Sequence, residues 1–489
     1  MHSPTEASVS SLQPTRRRFL QGSLAALAGL GLGKTSSLAG EGSAPARSGG
    51  KVKNIIFCVS DGMSAGAFGL ADAFSRSQRK RGTSWIELQN AADAVGGLME
   101  TYSLNSLVTD SAAASSAWGC GQRVNNGSIN ILPDGTSLES IAQRFRAAGK
   151  KVGVVTTATV THATPAGFVV QIDSRQKEEE IAEQYLDRVD LALGGGAKFF
   201  DPSRRTDGFD LAAAYAKSGF QVCRTLEELE AAAAPGSKLL GIFAQDHLPY
   251  SIDQMMVKEV KHEVPTLAQM TQAALTSLAD QGHGFLLQIE GARIDHAAHQ
   301  NDIATLLWDQ LAFDDAVQVA WDFARANPDT LLIVTTDHGN SNPGLNSMGD
   351  SKNALKKVNG SRASFEALAQ QAQKMEANGE LNAASWTELM RNFTGITPSP
   401  AEAEILCAAV ARKPVSNWNK QLANYWGLMG QITGNHTGVG WTGTTHTADP
   451  VILNAWGPGA DEFTGYVKNF EICGKLCQLA GVQFAPVTS

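Results

Sequence analysis

Residues Gly284–Gln300 read GFLLQIEGARIDHAAHQ, and this stretch decides the fold. Phe285, Leu286, Leu287 and Ile289 form a run that is apolar on both faces, the mark of a central strand in a parallel sheet. The run ends in Glu290. An acid at that point sits on the carboxyl edge of the sheet, where open α/β folds hold ligands. Asp295 and His299 follow, four residues apart. If the chain turns helical after Ile294 they share one face, one turn apart, a spacing suited to a single metal ion. Surface helices carry such pairs by chance, so the segment gains force only if other strands end in the same way.

Other strands do. The buried-looking run Asn54–Ser60 ends in Asp61-Gly62-Met63-Ser64, and Thr330–Thr336 ends in Asp337-His338-Gly339. Lys151–Thr157 leads into a polar loop that offers His162 and Thr164, and Arg175 follows, with a planar fork that can clamp phosphate. Thr444-Thr445-His446-Thr447 precedes a strand over Val451–Trp456. Val189–Leu193 and Leu239–Ala244 are shorter strands. The triplet Gly194-Gly195-Gly196 reads as a tight turn, since it lacks the lysine and spacing of a P-loop. Pro265–Asp280 is an amphipathic helix and Thr305–Ala326 a second long one. Strands alternating with helices over this length predict a doubly wound, mostly parallel central α/β sheet flanked by helices.

The alanines of Val108–Ala117 favour a helix, with Thr109 or Asp110 as its cap. Ser111 then falls in the first turn, where free N–H groups and the helix dipole favour an anion such as phosphate. A serine oxygen there is placed to attack phosphorus.

The 489 residues are 43% hydrophobic and 18% charged, the composition of a soluble globular protein. A net charge of −8 without a long basic run excludes nucleic acid as the main partner. Six scattered cysteines form no CxxC pair and read as small buried hydrophobes; Cys473 and Cys477 are spaced to face each other on a terminal helix. Thr15-Arg16-Arg17-Arg18-Phe19-Leu20, followed by an apolar stretch to about Gly33, reads as a twin-arginine export signal cleaved between Leu38 and Arg47. It is too short for a membrane span, and no cysteine near the cleavage region indicates a lipid anchor. The expectation is a periplasmic or secreted protein with a signal and linker at 1–45. An α/β domain would cover 46–340 and 435–489. Residues 341–434 are helical, polar and Trp-bearing (Trp386, Trp418, Trp426), and read as an inserted cap or crown whose tryptophans serve packing.

Strand ends thus supply Asp61, Glu290, Asp337 and His338, and nearby loops Asp295, His299, His446, Thr164 and Ser111. Mixed Asp/His clusters suit zinc, and the all-oxygen set Asp61, Thr164 and Glu290 suits magnesium. A serine at a helix N-terminus beside a metal pair points to in-line displacement at phosphorus. The motifs VSDGMS, VTDSAAAS, ATPAG, LALGGG, GFLLQIEGARIDHAAH, TTDHGN and HTADPVILNAWGP follow one another from about Asn54 to Gly457. In that combination and order the chain resembles the alkaline phosphatase family, and GARIDHAAH is closer to the animal and related bacterial enzymes than to the enteric type.

The resemblance implies a phosphoric monoester hydrolase acting on small phosphate monoesters, and a homodimer. Ser111 would be the nucleophile that becomes phosphoserine. Asp295, His299 and His446 would hold a first zinc; Asp337, His338 and Asp61 a second; and Asp61, Thr164 and Glu290 magnesium. Arg175 would grip two phosphoryl oxygens. His162 stands where enteric enzymes have an acid, and His296 where they have lysine, which leaves the third metal open between magnesium and zinc. His446 is followed by Thr-Ala rather than Thr-Gly, and His436, also followed by Thr, is a rival ligand. His247, His262 and His283 read as structural or surface groups. A phosphodiesterase, sulfatase or phosphomutase on the same sheet is the alternative; the serine nucleophile and the Glu290–Thr164 site favour the monoesterase.

Overall fold

The computed structural model describes residues 52–256, 264–279, 282–347, 351–416 and 418–485. The export signal expected at 1–45 lies outside the described residues. Ten strands form the central sheet: β1 Asn54–Val59, β2 Ala94–Met99, β3 Lys151–Thr159, β4 Leu191–Gly195, β5 Phe220–Cys223, β6 Lys238–Ile242, β7 Phe285–Glu290, β8 Thr330–Thr335, β9 Val451–Trp456 and β10 Gly465–Val467. Their spatial order is β10-β2-β9-β8-β1-β7-β3-β4-β6-β5. The run from β8 to β5 is parallel, and β9 enters antiparallel between β8 and β2.

Side chains of β1 alternate between two cores, as a strand's period of two requires. Ile55, Phe57 and Val59 face one layer, while Ile56 and Cys58 face the other. β7 and β8 divide likewise, with Leu286, Leu331 and Ile333 on the first side and Leu287, Ile289, Leu332 and Val334 on the second. Each such fully buried side chain contributes about 1.5–3 kcal/mol relative to exposure. Apart from the buried Gln288, whose Nε2 donates to Thr164 O, the interiors of these three strands are apolar, and their other polar residues lie at the ends. Register makes those ends level, because Val59 sits opposite both Glu290 and Thr335, and Thr156 of β3 opposite Glu290. Acids from separate parts of the chain converge there.

The structure departs from the sequence reading in several elements. Gly194 and Gly195 do not turn; they continue β4, and only Gly196, at φ 94°, bends the chain. A Cβ on Gly195 would lie 2.0 Å from the Asp246 carbonyl oxygen, so the glycine serves close backbone approach. Strands β2, β5 and β10 lacked a sequence signal, being short, glycine-bearing or half exposed. The cap of the Ser111–Cys120 helix is Asp110, whose side chain accepts from Ala113 N. That helix packs tightly on Ala163–Val169: a Cβ on Gly119 would stand 1.8 Å from Gly167 O, and Ser115 Oγ donates to Thr164 O at 2.5 Å. Small residues thereby set Ser111 and Thr164 at fixed separation.

Helices Phe365–Ala377, Ala383–Thr394, Pro400–Val410 and Tyr425–Thr437 enclose a hydrophobic cluster of their own around Trp386, Met390 and Met429. Trp426 packs against it, whereas Trp418 is fully exposed and departs from the packing role expected for it. All six cysteines are free; Cys473 and Cys477 lie buried on the helix Glu471–Ala480 without a disulfide. Among the described residues no helix is long and apolar enough to cross a membrane.

Candidate active site

The helix Arg293–His299 starts three residues after β7 and presents Asp295 and His299 one turn apart, with His299 Nε2 3.3 Å from Asp295 Oδ2. A two-residue antiparallel pairing of Gly339–Asn340 with His446–Thr447 brings His446 from far along the chain. Its Nε2 comes within 3.1 Å of His299 Nε2 and 3.6 Å of Asp295 Oδ1. Backbone carbonyls can only accept, so His446 Nδ1 donates to Thr109 O at 2.9 Å and His299 Nδ1 to Thr444 O at 2.8 Å. Both Nε2 atoms are left for the shared space.

Among the described residues three groups have donor atoms close enough to share a cation: Asp295/His299/His446, Asp61/Asp295/His338 and Asp61/His162/Glu290. Asp337 adjoins the second, its Oδ2 3.1 Å from His338 Nε2 and its Oδ1 accepting from Gly62 N. Thr164 adjoins the third, its Oγ1 3.4 Å from Asp61 Oδ2. The sequence reading grouped Asp61 with Asp337 and with Thr164; the structure adds Asp295 to the one and His162 to the other.

Asp61, Glu290, Asp295 and Asp337 are all buried together. Burial, reinforced by Asp337, Asp295 and Glu290, pushes the Asp61 carboxyl well above its usual range. Burial also lifts Glu290 to about 7 against the hydrogen bond from Thr156. Burial acts the same way on Asp295, but His299, His446 and His338 outweigh it and hold that carboxyl well below normal. His299 in turn rises to about 9, since its burial is overcome by Asp295. Asp61 Oδ1, Glu290 Oε1, Asp337 Oδ2 and His338 Nδ1 are buried without a hydrogen-bond partner. Buried charges need pairing or a metal, and four crowded carboxylates exceed what the imidazoles balance. The donor set therefore fits divalent cations, with mixed Asp/His groups for zinc and the oxygen-rich Asp61/Thr164/Glu290 end for magnesium.

Ser111 opens its helix nearly inaccessible, with Oγ 3.3 Å from His338 Nε2. Arg175 is held on two sides: Nη1 meets Asp110 Oδ2 at 3.1 Å, and Nη2 donates to His162 Nε2 at 3.1 Å. His162, His296 and His247 form a ring cluster, with centroids 5.7, 5.7 and 4.6 Å apart. Burial lowers all three, His247 to about 4. Sequence reasoning missed His247, which reads from the sequence as a structural or surface group. It missed Asn340 too, whose Nδ2 donates to Asp295 Oδ1 at 2.6 Å. The rival His436 pairs instead with Glu402 at 3.3 Å. His283 is exposed, and His262 lies outside the described residues.

A serine at a helix N-terminus, facing buried carboxylates and imidazoles with an arginine alongside, is suited to metal-assisted displacement at phosphorus. The family model for alkaline phosphatase matches residues 52–482. Alkaline phosphatase 3 of Bacillus subtilis (strain 168) is 28% identical over 431 residues, covering 86% of this chain and 87% of that protein. The crystal structure of Thermus thermophilus alkaline phosphatase superposes with a TM-score of 0.82 at 38% identity, over 89% of this chain and 92% of that one. A histidine-to-aspartate variant of TAB5 alkaline phosphatase, described with Mg bound in the M3 site, has a TM-score of 0.63 at 25% identity, over 88% and 99%. The chain belongs to the alkaline phosphatase family. It is an enzyme of that family, whose reaction is hydrolysis of phosphate monoesters.

Proposed function

We propose that the chain hydrolyses small phosphate monoesters through a phosphoseryl intermediate on Ser111. The observation that carries this reading is Ser111 Oγ at the first turn of its helix, 3.3 Å from His338 Nε2, within the buried carboxylate group. Asp295, His299 and His446 would hold one zinc, Asp61, Asp337 and His338 a second, and Asp61, Thr164 and Glu290 magnesium. Bound there, the cations would supply charge neutralisation and a lowered pKa for the attacking hydroxyls. Arg175, braced by Asp110, presents its fork to two phosphoryl oxygens. The Ser111 Oγ–P bond forms as the bond from phosphorus to the leaving oxygen breaks. Water then attacks phosphorus, the Oγ–P bond breaks, and inorganic phosphate leaves with Ser111 restored. His162 and His296 stand beside the arginine as further phosphate-facing groups.

The same reading takes 1–45 as a twin-arginine signal of a periplasmic or secreted protein and the active form as a homodimer without a membrane anchor. It takes 341–434 as an insert in an α/β domain of 46–340 and 435–489, supported by the separate cluster around Trp386.

The test is turnover of a chromogenic phosphate monoester against its diester at alkaline pH, after chelation and reloading with zinc and magnesium. Monoester turnover that returns only with metal is expected; preference for the diester would move the enzyme to the phosphodiesterase alternative. Ser111→Ala should lower turnover more than about a thousandfold while bound metal, read by elemental analysis, is retained. Loss of the metal on that substitution would make Ser111 a structural residue.

A further inference from the structure

Arg293 is 5% exposed. Its guanidinium lies 3.6 Å from the centroid of the Tyr250 ring and donates in two directions. Nη2 meets Glu366 Oε2 at 3.0 Å, and Nη1 meets His296 Nδ1 at 2.8 Å. A guanidinium has no acceptor, so His296 Nδ1 must offer its lone pair. The imidazole is then neutral, and its single proton sits on Nε2.

The neighbouring rings obey the same logic. The backbone N–H of Thr159 points at His247 Nδ1 at 3.2 Å, which leaves the proton of that ring on Nε2. Arg175 Nη2 points at His162 Nε2, which leaves the proton there on Nδ1. Among the described residues none of these three protonated nitrogens has a hydrogen-bond partner. The three rings are neutral, and the cluster adjoins Arg175 through His162. His162 also belongs to the Asp61/Glu290 cation group, which leaves His296 and His247 as the Nε2–H donors open to an anion.

Glu366 is the second residue of the helix Phe365–Ala377, in the segment that carries the separate Trp386 cluster. Two carboxylates outside that segment hold the start of this helix. Asp302 accepts from Phe365 N at 2.7 Å and Asp253 from Ser364 N at 2.8 Å. The turn that carries Glu366 is therefore anchored at the start of its helix.

We propose that Glu366 and Arg293 are positioning residues through which the helical insert takes part in phosphate binding, by holding His296 as an Nε2–H donor. The proposal rests on the phosphatase reading only for the identity of the anion. Two measurements test it. In the holoenzyme, Glu366→Ala should raise KM and the inhibition constant of inorganic phosphate together, about five- to tenfold, with kcat little changed. In a His296→Ala background the same substitution should change them less than about twofold, and Glu366→Gln, which can still accept from Arg293, should recover part of the loss. Equal effects in both backgrounds, or a lowered melting temperature with unchanged phosphate inhibition, would overturn the proposal.

The second measurement is the nitrogen-15 spectrum of histidine-labelled holoenzyme, with His296 assigned by its disappearance in His296→Ala. A protonated Nε2 and bare Nδ1 are expected. A protonated Nδ1 in the unmutated enzyme would refute the proposal whether or not the enzyme turns over monoesters. Absence of monoester turnover, by contrast, would refute only the phosphatase reading.

Discussion

Asp110 accepts from Ala113 N, Gly127 N and Arg175 Nη1, and so ties the Ser111 helix to the arginine in one side chain. Asp110→Ala is expected to cost about 1 kcal/mol through the lost cap. It should also loosen phosphate by releasing Arg175, with a raised inhibition constant for inorganic phosphate beside the lowered melting temperature. A changed melting temperature with unaltered phosphate inhibition would separate the cap from the arginine. At this scale the sequence was legible where chemistry is local. Asp61, Glu290 and Asp337 announced themselves as acids at the ends of apolar runs, and Asp295 and His299 by helical spacing. Asn340, His247 and the Arg293–Glu366 pair were not, because each owes its role to a partner brought in by register or packing rather than to its own neighbours in sequence.

Among elements, the helix Ile303–Ala326 carries Asp309, which accepts from Ser251 N at 3.2 Å and Ser251 Oγ at 3.1 Å. Burial, opposed in part by Arg293, lifts this carboxyl from 3.8 to about 7. The folded chain thus keeps a proton that the unfolded chain gives up from about pH 4, so this group's contribution to stability declines as pH rises between those two values and is level above. Asp309→Asn can keep both contacts, with its oxygen accepting from Ser251 N and its amide donating to Oγ. It should raise stability at pH 9 by at most about 4 kcal/mol and do little near pH 4; melting curves at the two values decide. A uniform shift at both would mean the gain is packing, not charge. Strands β1, β7 and β8 could be read directly, since sheet burial on both faces leaves a run that is apolar in β1 and β8 and broken in β7 only by Gln288. β2, with its Gly96-Gly97 pair, and β5, with Gln221 exposed, gave no such run. Their strand character comes from neighbours.

For the molecule as a whole, the crowding of Asp61, Glu290, Asp295 and Asp337 makes stability depend on cations. Chelation is expected to abolish activity and lower the melting temperature by roughly 10 °C. The deficit should be larger at pH 9 than at pH 6, because Glu290 stripped of cations ionises in the fold only near 7 against 4.5 unfolded. A deficit independent of pH would place the loss elsewhere. The position of β1 has a different kind of consequence. Among the described residues it is the first strand made, yet it lies between β7 and β8, and its partners Leu286 and Leu331 are synthesised long after it. His446 arrives later still. Pairing at such separation closes slowly, so a ribosome-bound chain holds Asn54–Val59 without its neighbours until most of the protein has emerged. Nothing shorter than nearly the full length can assemble the pocket, and a truncated chain would display a naked hydrophobic strand open to aggregation.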